Sequence, residues 1–556
     1  MLAILGFVLV AAGLNQATIR TGHVTWDSTN GRFEFNGGKP IKETLATGTF
    51  DDSITETGWG FLEIHTNSLN GAYLDYHQAY AAGLLEARLT KDLIEKQWRN
   101  EYQDYCDRNA VYCEKLHLFL QTNLAYMLEM VEKYSFTVPY WHQVGLVLVQ
   151  LAGIESGIRM EDYYVYVGEN LTPNISNIMQ MNLHGDLCDL EKKLGKLKEE
   201  APGAKSSCSA LIALTEGDRD LLAGHNTWTG YNAMLRIQKR FTFQYHKTFD
   251  SNESVPGNGA AFSSYPGRLI SGDDFYVLSS GLVVTETTIE NNNKHLYSYT
   301  TPRGTVPSWI RNIVANRLAA SCEEWVELYA YNNSGTYNNQ WMILNYNLFR
   351  SGEPLPEGAF YVLEQMPGYV QRRDMSWFLQ KYRFWPSYNI AYFPDIFNIS
   401  GQWDLVKKYG DWYTYDKTAR ALIFQRDHGK AVSVEGLRRL LRYNDYKNDP
   451  LSKCNCTPPY SAENTVAARG DLNPANGTYP FPALGHRPRG AIDVKVTNST
   501  MVREFAMLIQ CGPTNDQQPT FSWRQSDFNQ VIRHEGQPDV FNFPPVLSRW
   551  MKPSFD

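Results

Sequence analysis

In Cys208-Ser209-Ala210-Leu211-Ile212-Ala213-Leu214-Thr215-Glu216-Gly217-Asp218-Arg219-Asp220-Leu221-Leu222-Ala223-Gly224-His225-Asn226-Thr227-Trp228, two short apolar runs flank a charged, glycine-containing turn. That pattern predicts a β-hairpin. Folding the hairpin about its turn returns Cys208 to the 225–228 segment, so a thiol, an imidazole and an indole N–H share one end of a sheet. Such a grouping suits nucleophilic acyl chemistry. Taken singly, the same residues have plainer uses. A lone free cysteine more often behaves as a small buried hydrophobe, and a lone histidine is more often a satisfied core or surface residue.

The hairpin is preceded by Ala201-Pro-Gly-Ala-Lys-Ser-Ser207, a breaker-rich stretch that reads as a surface loop or as a processing linker. Upstream, 44–64 is strand-like, 72–104, 110–133 and 140–160 carry helical periodicity, and 187–200 reads as an exposed amphipathic helix. Downstream, strand patterns recur near 276–288, 339–346, 359–365 and 419–425, and helices near 229–240, 307–330 and 435–443. Strands and helices mixed without regular alternation predict an α+β fold with largely antiparallel sheets.

With 43% hydrophobic residues among 556, the chain can build a large core. A net charge of −7 gives no basic footprint, so no nucleic-acid partner is expected. Residues 1–17 are apolar with small residues near their end and read as a signal peptide, although no Lys or Arg precedes the apolar run. No other run approaches a transmembrane span, so no transmembrane segment is expected in the mature chain. Asn170, Asn174, Asn252, Asn332, Asn398, Asn455, Asn476 and Asn498 each open an Asn-x-Ser/Thr sequon, which together point to the secretory pathway. Cys106 and Cys113 are close enough to staple a loop between helices; Cys454 and Cys456 form a tight bridge or remain separate thiols. Cys188, Cys322 and Cys511 read as single buried residues. No Cys/His zinc spacing occurs, and neither a structural metal nor a cofactor is expected. Gly-x-Ser-x-Gly and His-Glu-x-x-His are absent, which disfavours the common lipase and zinc-protease patterns. His428-Gly-Lys430 and Arg469-Gly-Asp471 read as loop coincidences.

Several strings recur in the order found in one family. They are Ala223-Gly-His225-Asn-Thr-Trp228, Phe262-Ser-Ser-Tyr-Pro-Gly267, Ser271-Gly-Asp-Asp-Phe-Tyr276, Asn333-Ser-Gly-Thr-Tyr-Asn-Asn-Gln340, Tyr388-Asn-Ile390, Arg442-Tyr-Asn-Asp445, Asp471-Leu-Asn-Pro-Ala-Asn-Gly477 and Ile492-Asp-Val-Lys-Val496. By them the chain resembles the phospholipase B-like family, most densely from about residue 205 onward. The resemblance implies the N-terminal nucleophile hydrolase class: a four-layer αββα sandwich, cut by itself between Ser207 and Cys208. An N-terminal light fragment (18–207, with the linker near 201–207) and a heavy fragment (208–556) would stay associated. The catalytic positions it implies are Cys208, His225, Trp228, Thr288, Asn389 and Arg420. Cys208 is the nucleophile, His225 and Arg420 tune the freed amine, Asn389 supplies an oxyanion donor, and Trp228 and Thr288 complete the site. The implied activity is hydrolysis of phospholipid acyl esters through a thioester in the lysosome lumen, or outside the cell. N-acyl lipids or short peptides as amide substrates are the alternative, and so is a glycosylated lumenal binding protein without turnover.

Overall fold

The computed structural model describes residues 18–41, 44–67, 74–160, 175–196, 208–548 and 550. The signal-like segment 1–17, the sequons at Asn170 and Asn174, and the linker with Ser207 lie outside the described residues.

The hairpin forms as its sequence predicts. Ser209–Leu214 and Leu221–Asn226 pair antiparallel around a single 3₁₀ turn at Glu216–Asp218. They form the centre of a six-stranded sheet with Phe384–Ser387, Asp493–Asn498, Leu508–Cys511 and Val546–Leu547. A second sheet has eleven strands. In spatial order they are Tyr369–Asp374, Phe360–Met366, Asn339–Asn345, Leu282–Thr288, Phe275–Leu278, Gly259–Ser264, Arg236–Thr242, Trp59–Thr66, Thr44–Asp52, Thr18–Asp27 and Arg32–Gly37. Only Trp59–Thr66 and Arg236–Thr242 run parallel; every other strand pairing among the described residues of this sheet is antiparallel. The chain is therefore α+β with large, mostly antiparallel sheets.

Alternation along the strands feeds two cores. Val283, Met342, Leu344 and Val362 join the core that contains Ala210, Ile212 and Leu222 of the smaller sheet. Their neighbours Val284, Trp341, Ile343 and Leu363 join a second core with helix Asp75–Glu101 and helix Cys322–Ala330. Helix Val434–Leu441 packs on strands Leu221–Asn226 and Asp493–Asn498. Helices Asp75–Glu101 and Pro139–Arg159 cross in close contact through glycine. A Cβ on Gly83 would stand 2.0 Å from the Gln150 carbonyl oxygen, and one on Gly153 would stand 2.2 Å from that of Tyr80.

Two elements differ from their sequence reading. The 229–240 region is not helical: it holds the short strand Trp228–Gly230, a 3₁₀ turn and strand Arg236–Thr242. Its helix-forming residues are overridden by sheet pairing on both sides, and Leu235, Ile237, Phe241 and Phe243 alternate into the core at period two. The 419–425 region is a helix, Ala419–Asp427, not a strand. Its buried Arg420, Phe424 and Asp427 recur at three- and four-residue spacing. The helices near 72–104, 110–133 and 140–160 form as Asp75–Glu101, Ala110–Tyr134 and Pro139–Arg159.

Candidate active site

Cys208 enters the sheet immediately before Ser209, with φ at 95°, a left-handed conformation uncommon for a residue with a Cβ. Ala210 lies opposite His225 and Ser209 opposite Asn226. Alternation sends Cys208 and His225 to one face and Ser209 and Asn226 to the other. The Cys208 thiol, an imidazole nitrogen of His225 and a carboxylate oxygen of Glu286 gather within 4.8 Å of one another, all buried. These three are also the group among the described residues whose donors could approach a metal ion.

The opposite face fixes the strand. The Ser209 backbone N–H donates to Asn226 Oδ1 at 2.8 Å. Asn226 Nδ2 donates to the carbonyls of Leu441, 2.6 Å, and Val466, 2.9 Å. The Val466 carbonyl also accepts from Ser209 Oγ at 3.0 Å and from Trp228 Nε1 at 3.2 Å. A fully satisfied buried network of this kind rigidifies what it holds. Arg420, from helix Ala419–Asp427, donates through Nη1 to the Cys208 carbonyl at 2.7 Å and to Ser209 Oγ at 3.3 Å. Its guanidinium carbon stands 4.3 Å over the Trp228 ring. Burial, partly offset by Glu463 and Cys208, lowers the Arg420 pKa to about 10.

Asn389 adopts φ 69° and donates through Nδ2 to the Thr288 carbonyl at 2.9 Å, while its backbone N–H donates to Thr287 Oγ1 at 3.3 Å. Thr288 and Cys208 both line a cavity of about 60 Å³, together with Trp228 and Tyr337. His184, Cys188, Asp189 and Lys192 of helix His184–Leu194 line its other side. Cys188 is thus half-buried at the cavity rather than buried in a core. Cys322 and Cys511 are buried and free, as their sequence reading has them.

Behind His225 lies a buried charge cluster that the sequence reading did not identify. Lys495, opposite His225 on strand Asp493–Asn498, donates to Asp273 Oδ2 at 2.8 Å, Asp493 Oδ1 at 3.0 Å and Thr227 Oγ1 at 2.6 Å. Arg236 meets Asp273 at 2.7 Å and Asp493 at 3.0 Å, all four side chains being fully buried. A lysine set between two valines, Val494-Lys495-Val496, was the available signal. Asn226 left only a fainter one.

Burial, then the charge of Glu286, raises the Cys208 thiol well above its ordinary pKa, against the opposing pull of Lys495 and the Trp228 backbone N–H. Burial, then Lys495, drives the His225 pKa well below its usual value, so the imidazole stays neutral. Glu286 is raised well above its usual range by burial and by Asp274. Asp274 itself is pushed up to about 7, by burial first. These surroundings hold the Cys208 thiol in its protonated form.

The bridges Cys106–Cys113 and Cys454–Cys456 are both present. Asn252, Asn398, Asn455 and Asn476 are exposed. Asn332 and Asn498 are half-buried, their amides donating to the Gly304 carbonyl and to Asp220 Oδ2. Arg469 and Asp471 are paired with each other, and Arg469 is buried, which leaves no free tripeptide loop for a partner. No described helix is long and apolar enough to cross a membrane.

The family model described as phospholipase B matches residues 46–548. The chain is 44% identical to phospholipase B-like 2 of Rattus norvegicus over 96% of its own length and 90% of the relative's. It is 45% identical to the Homo sapiens protein of that name, over 91% and 86% of the two chains. Against phospholipase B-like protein B of Dictyostelium discoideum the identity is 35%, over 90% and 85%.

Proposed function

The chain belongs to the phospholipase B family, and from that premise we propose that it is a hydrolase whose nucleophile is Cys208, made N-terminal by self-cleavage after Ser207. The observation that carries this reading is the position of Cys208. It stands at the head of a central strand with a left-handed backbone, its carbonyl is clasped by Arg420, and its thiol faces a cavity within 4.8 Å of His225 and Glu286. The two sheets, sharing a core and covered by helices on their outer faces, are read as the αββα sandwich of N-terminal nucleophile hydrolases.

In the cleaved chain the freed α-amine takes the thiol proton, and the sulfur adds to an acyl carbonyl. The oxyanion so formed needs fixed donors; Asn389, whose Nδ2 is anchored to the Thr288 carbonyl, is the side chain assigned to supply one. Collapse expels the alcohol or amine with the proton held on the α-amine and leaves a thioester. Water then attacks the thioester, releasing the acid and restoring the thiol. Arg420, buried against the Cys208 carbonyl, lowers the proton affinity of the adjacent amine so that it serves as a base. Trp228 holds Arg420 in place from one side.

The substrate proposed is a phospholipid acyl ester. A second reading is amide hydrolysis of N-acyl lipids or short peptides; a cavity of about 60 Å³, small beside the roughly 300–1,000 Å³ of pockets that take drug-sized ligands, suits a short peptide better than any lipid. A non-catalytic lumenal binding protein is the third reading. The two disulfides and the exposed sequons support passage through an oxidising, glycosylating compartment and residence in the lysosome lumen or outside the cell.

Cys208→Ala is expected to stay one chain and to release no acyl product from either an ester or an amide probe. Maturation of that variant into two pieces at the 207/208 bond, with no protease added, would overturn the self-cleavage reading. A thiol-directed acyl probe that leaves residue 208 unlabelled in folded, processed protein would favour the binding-protein reading instead.

A further inference from the structure

Within the proposed mechanism, the α-amine base cannot act in the reaction that creates it. The first cut therefore needs another proton carrier beside the Cys208 thiol. We infer that Glu286, coupled through the Tyr337 hydroxyl to Asp274, is that carrier. It takes the thiol proton as sulfur attacks the Ser207 carbonyl and delivers it to the departing Cys208 nitrogen. This rests on the nucleophile reading above and adds a catalytic residue to it.

The geometry is specific. The Tyr337 hydroxyl lies 2.6 Å from Asp274 Oδ2 and 3.0 Å from Glu286 Oε1. One hydroxyl has one proton to donate. For both contacts to be hydrogen bonds, one of the two carboxyl groups must itself be protonated and donate to the tyrosine oxygen. Tyr276 donates to the other Asp274 oxygen at 2.9 Å and is itself held by the Ser271 N–H. With its amide oriented to satisfy both neighbours, Asn339 donates to Glu286 Oε2 at 3.1 Å and to the Asn338 carbonyl at 3.0 Å. The pair thus shares one proton across Tyr337. When that proton sits on Asp274, Glu286 is a carboxylate within 4.8 Å of the thiol sulfur and of His225. Two acids sharing a site in this way hold the proton more tightly than either would alone, and their raised proton affinities agree.

The step balances. The S–H proton passes to Glu286 as the bond from Sγ to the Ser207 carbonyl carbon forms. The Ser207–Cys208 C–N bond breaks, and the same proton moves from Glu286 to the nitrogen. Water hydrolyses the resulting thioester to the Ser207 carboxylate and the free thiol. The charged or titratable groups facing Glu286 are Asp274, Asp273, Tyr337, Lys495, His225 and Cys208. Lys495 is committed to Asp273, Asp493 and Thr227, and burial beside Lys495 makes the His225 imidazole a weak base, which leaves Glu286 as the exchangeable site.

The test uses the full-length chain and follows the 207/208 bond by intact mass across about pH 4 to 8, with secretion and thermal unfolding as folding controls. Glu286→Gln keeps the shape but cannot carry the proton, and should slow the cut by about 100-fold or more. Tyr337→Phe should still be cut, with its pH–rate profile moved to higher pH, because losing a phenol donor raises the proton affinity of both carboxyls. A folded Glu286→Gln chain cut at the wild-type rate would overturn the proposal. If that variant does not fold, an unshifted profile for Tyr337→Phe overturns it and a shifted one supports it. Failure of the wild-type chain to part at 207/208 would instead sink the nucleophile reading.

Discussion

Arg420 acts on the nucleophile's backbone, not on its sulfur. One guanidinium nitrogen holds the Cys208 carbonyl while the plane lies over Trp228, so charge, planarity and reach are used together. A lysine keeps the charge and loses the planar stacking. Arg420→Lys is expected to fold and yet to cut and turn over more slowly, on the order of 100-fold if the nucleophile shifts by about an ångström. Turnover measured against an acyl probe checks this, and a wild-type rate would show that the ammonium suffices. At this scale Cys208 and His225 were legible in the sequence because a hairpin has only one way to bring its ends together. Lys495, Asp273 and Glu286 were not, since each gains its meaning from a partner on another strand or loop: Lys495 reaches Thr227, 268 residues away, and Glu286 meets Tyr337, 51 residues away.

Elements carry the next layer of constraint. Helices Asp75–Glu101 and Pro139–Arg159 approach so closely at Gly83 and Gly153 that an added methyl meets backbone instead of a side chain able to move. Gly153→Ala is expected to destabilise the fold by roughly 1–3 kcal/mol, although alanine is the better helix former. A denaturant midpoint unchanged from wild type would show that the helices can part without cost. The long helices were legible because apolar periodicity over more than twenty residues has few other solutions. Arg236–Thr242 and Ala419–Asp427 were misread for a shared reason. Over seven to nine residues, helical and strand periods overlap, and the neighbours that choose between them are distant in sequence. For Arg236–Thr242 those neighbours are Trp59–Thr66 on one side and Gly259–Ser264 on the other.

Across the whole molecule, the segments before and after the proposed cut are paired with each other in this structure. Strand Trp59–Thr66 pairs with Arg236–Thr242 across the cut, and buried pairs join Glu86 to Lys239 and Glu101 to Arg268, each at 2.6 Å. Separating the parts would strand buried charges, a loss of several kcal/mol for each broken pair, about 3–5 by analogy. Buried carboxyls also set a pH response. Asp274 and Glu364 are raised to about 7, and Asp186 and Glu286 are raised as well, burial leading in each case. A carboxyl whose folded pKa exceeds its unfolded value contributes stability that is complete below the unfolded pKa and lost as pH rises through the folded one. His225, with its pKa depressed, opposes this below about pH 6.5, where the unfolded chain takes up a proton the folded chain refuses. The raised carboxyls, to which Asp52, Glu86 and Glu155 also belong, outweigh the one depressed imidazole and predict a higher Tm at about pH 5 than at about pH 8. A Tm that rises from about pH 5 to about pH 8 would refute the assignment.

The amino-acid order alone determined the hairpin, the long helices, the family and the thiol at the strand's head, because these depend on neighbours, periodicity and motif strings. Which groups surround that thiol was decided by tertiary structure. Glu286, Tyr337 and Asp274 meet only when separate segments of the large sheet and its connecting loops close on one another. Proton affinity depends on burial and on charges a few ångströms away, and a linear sequence specifies neither until the sheets have packed.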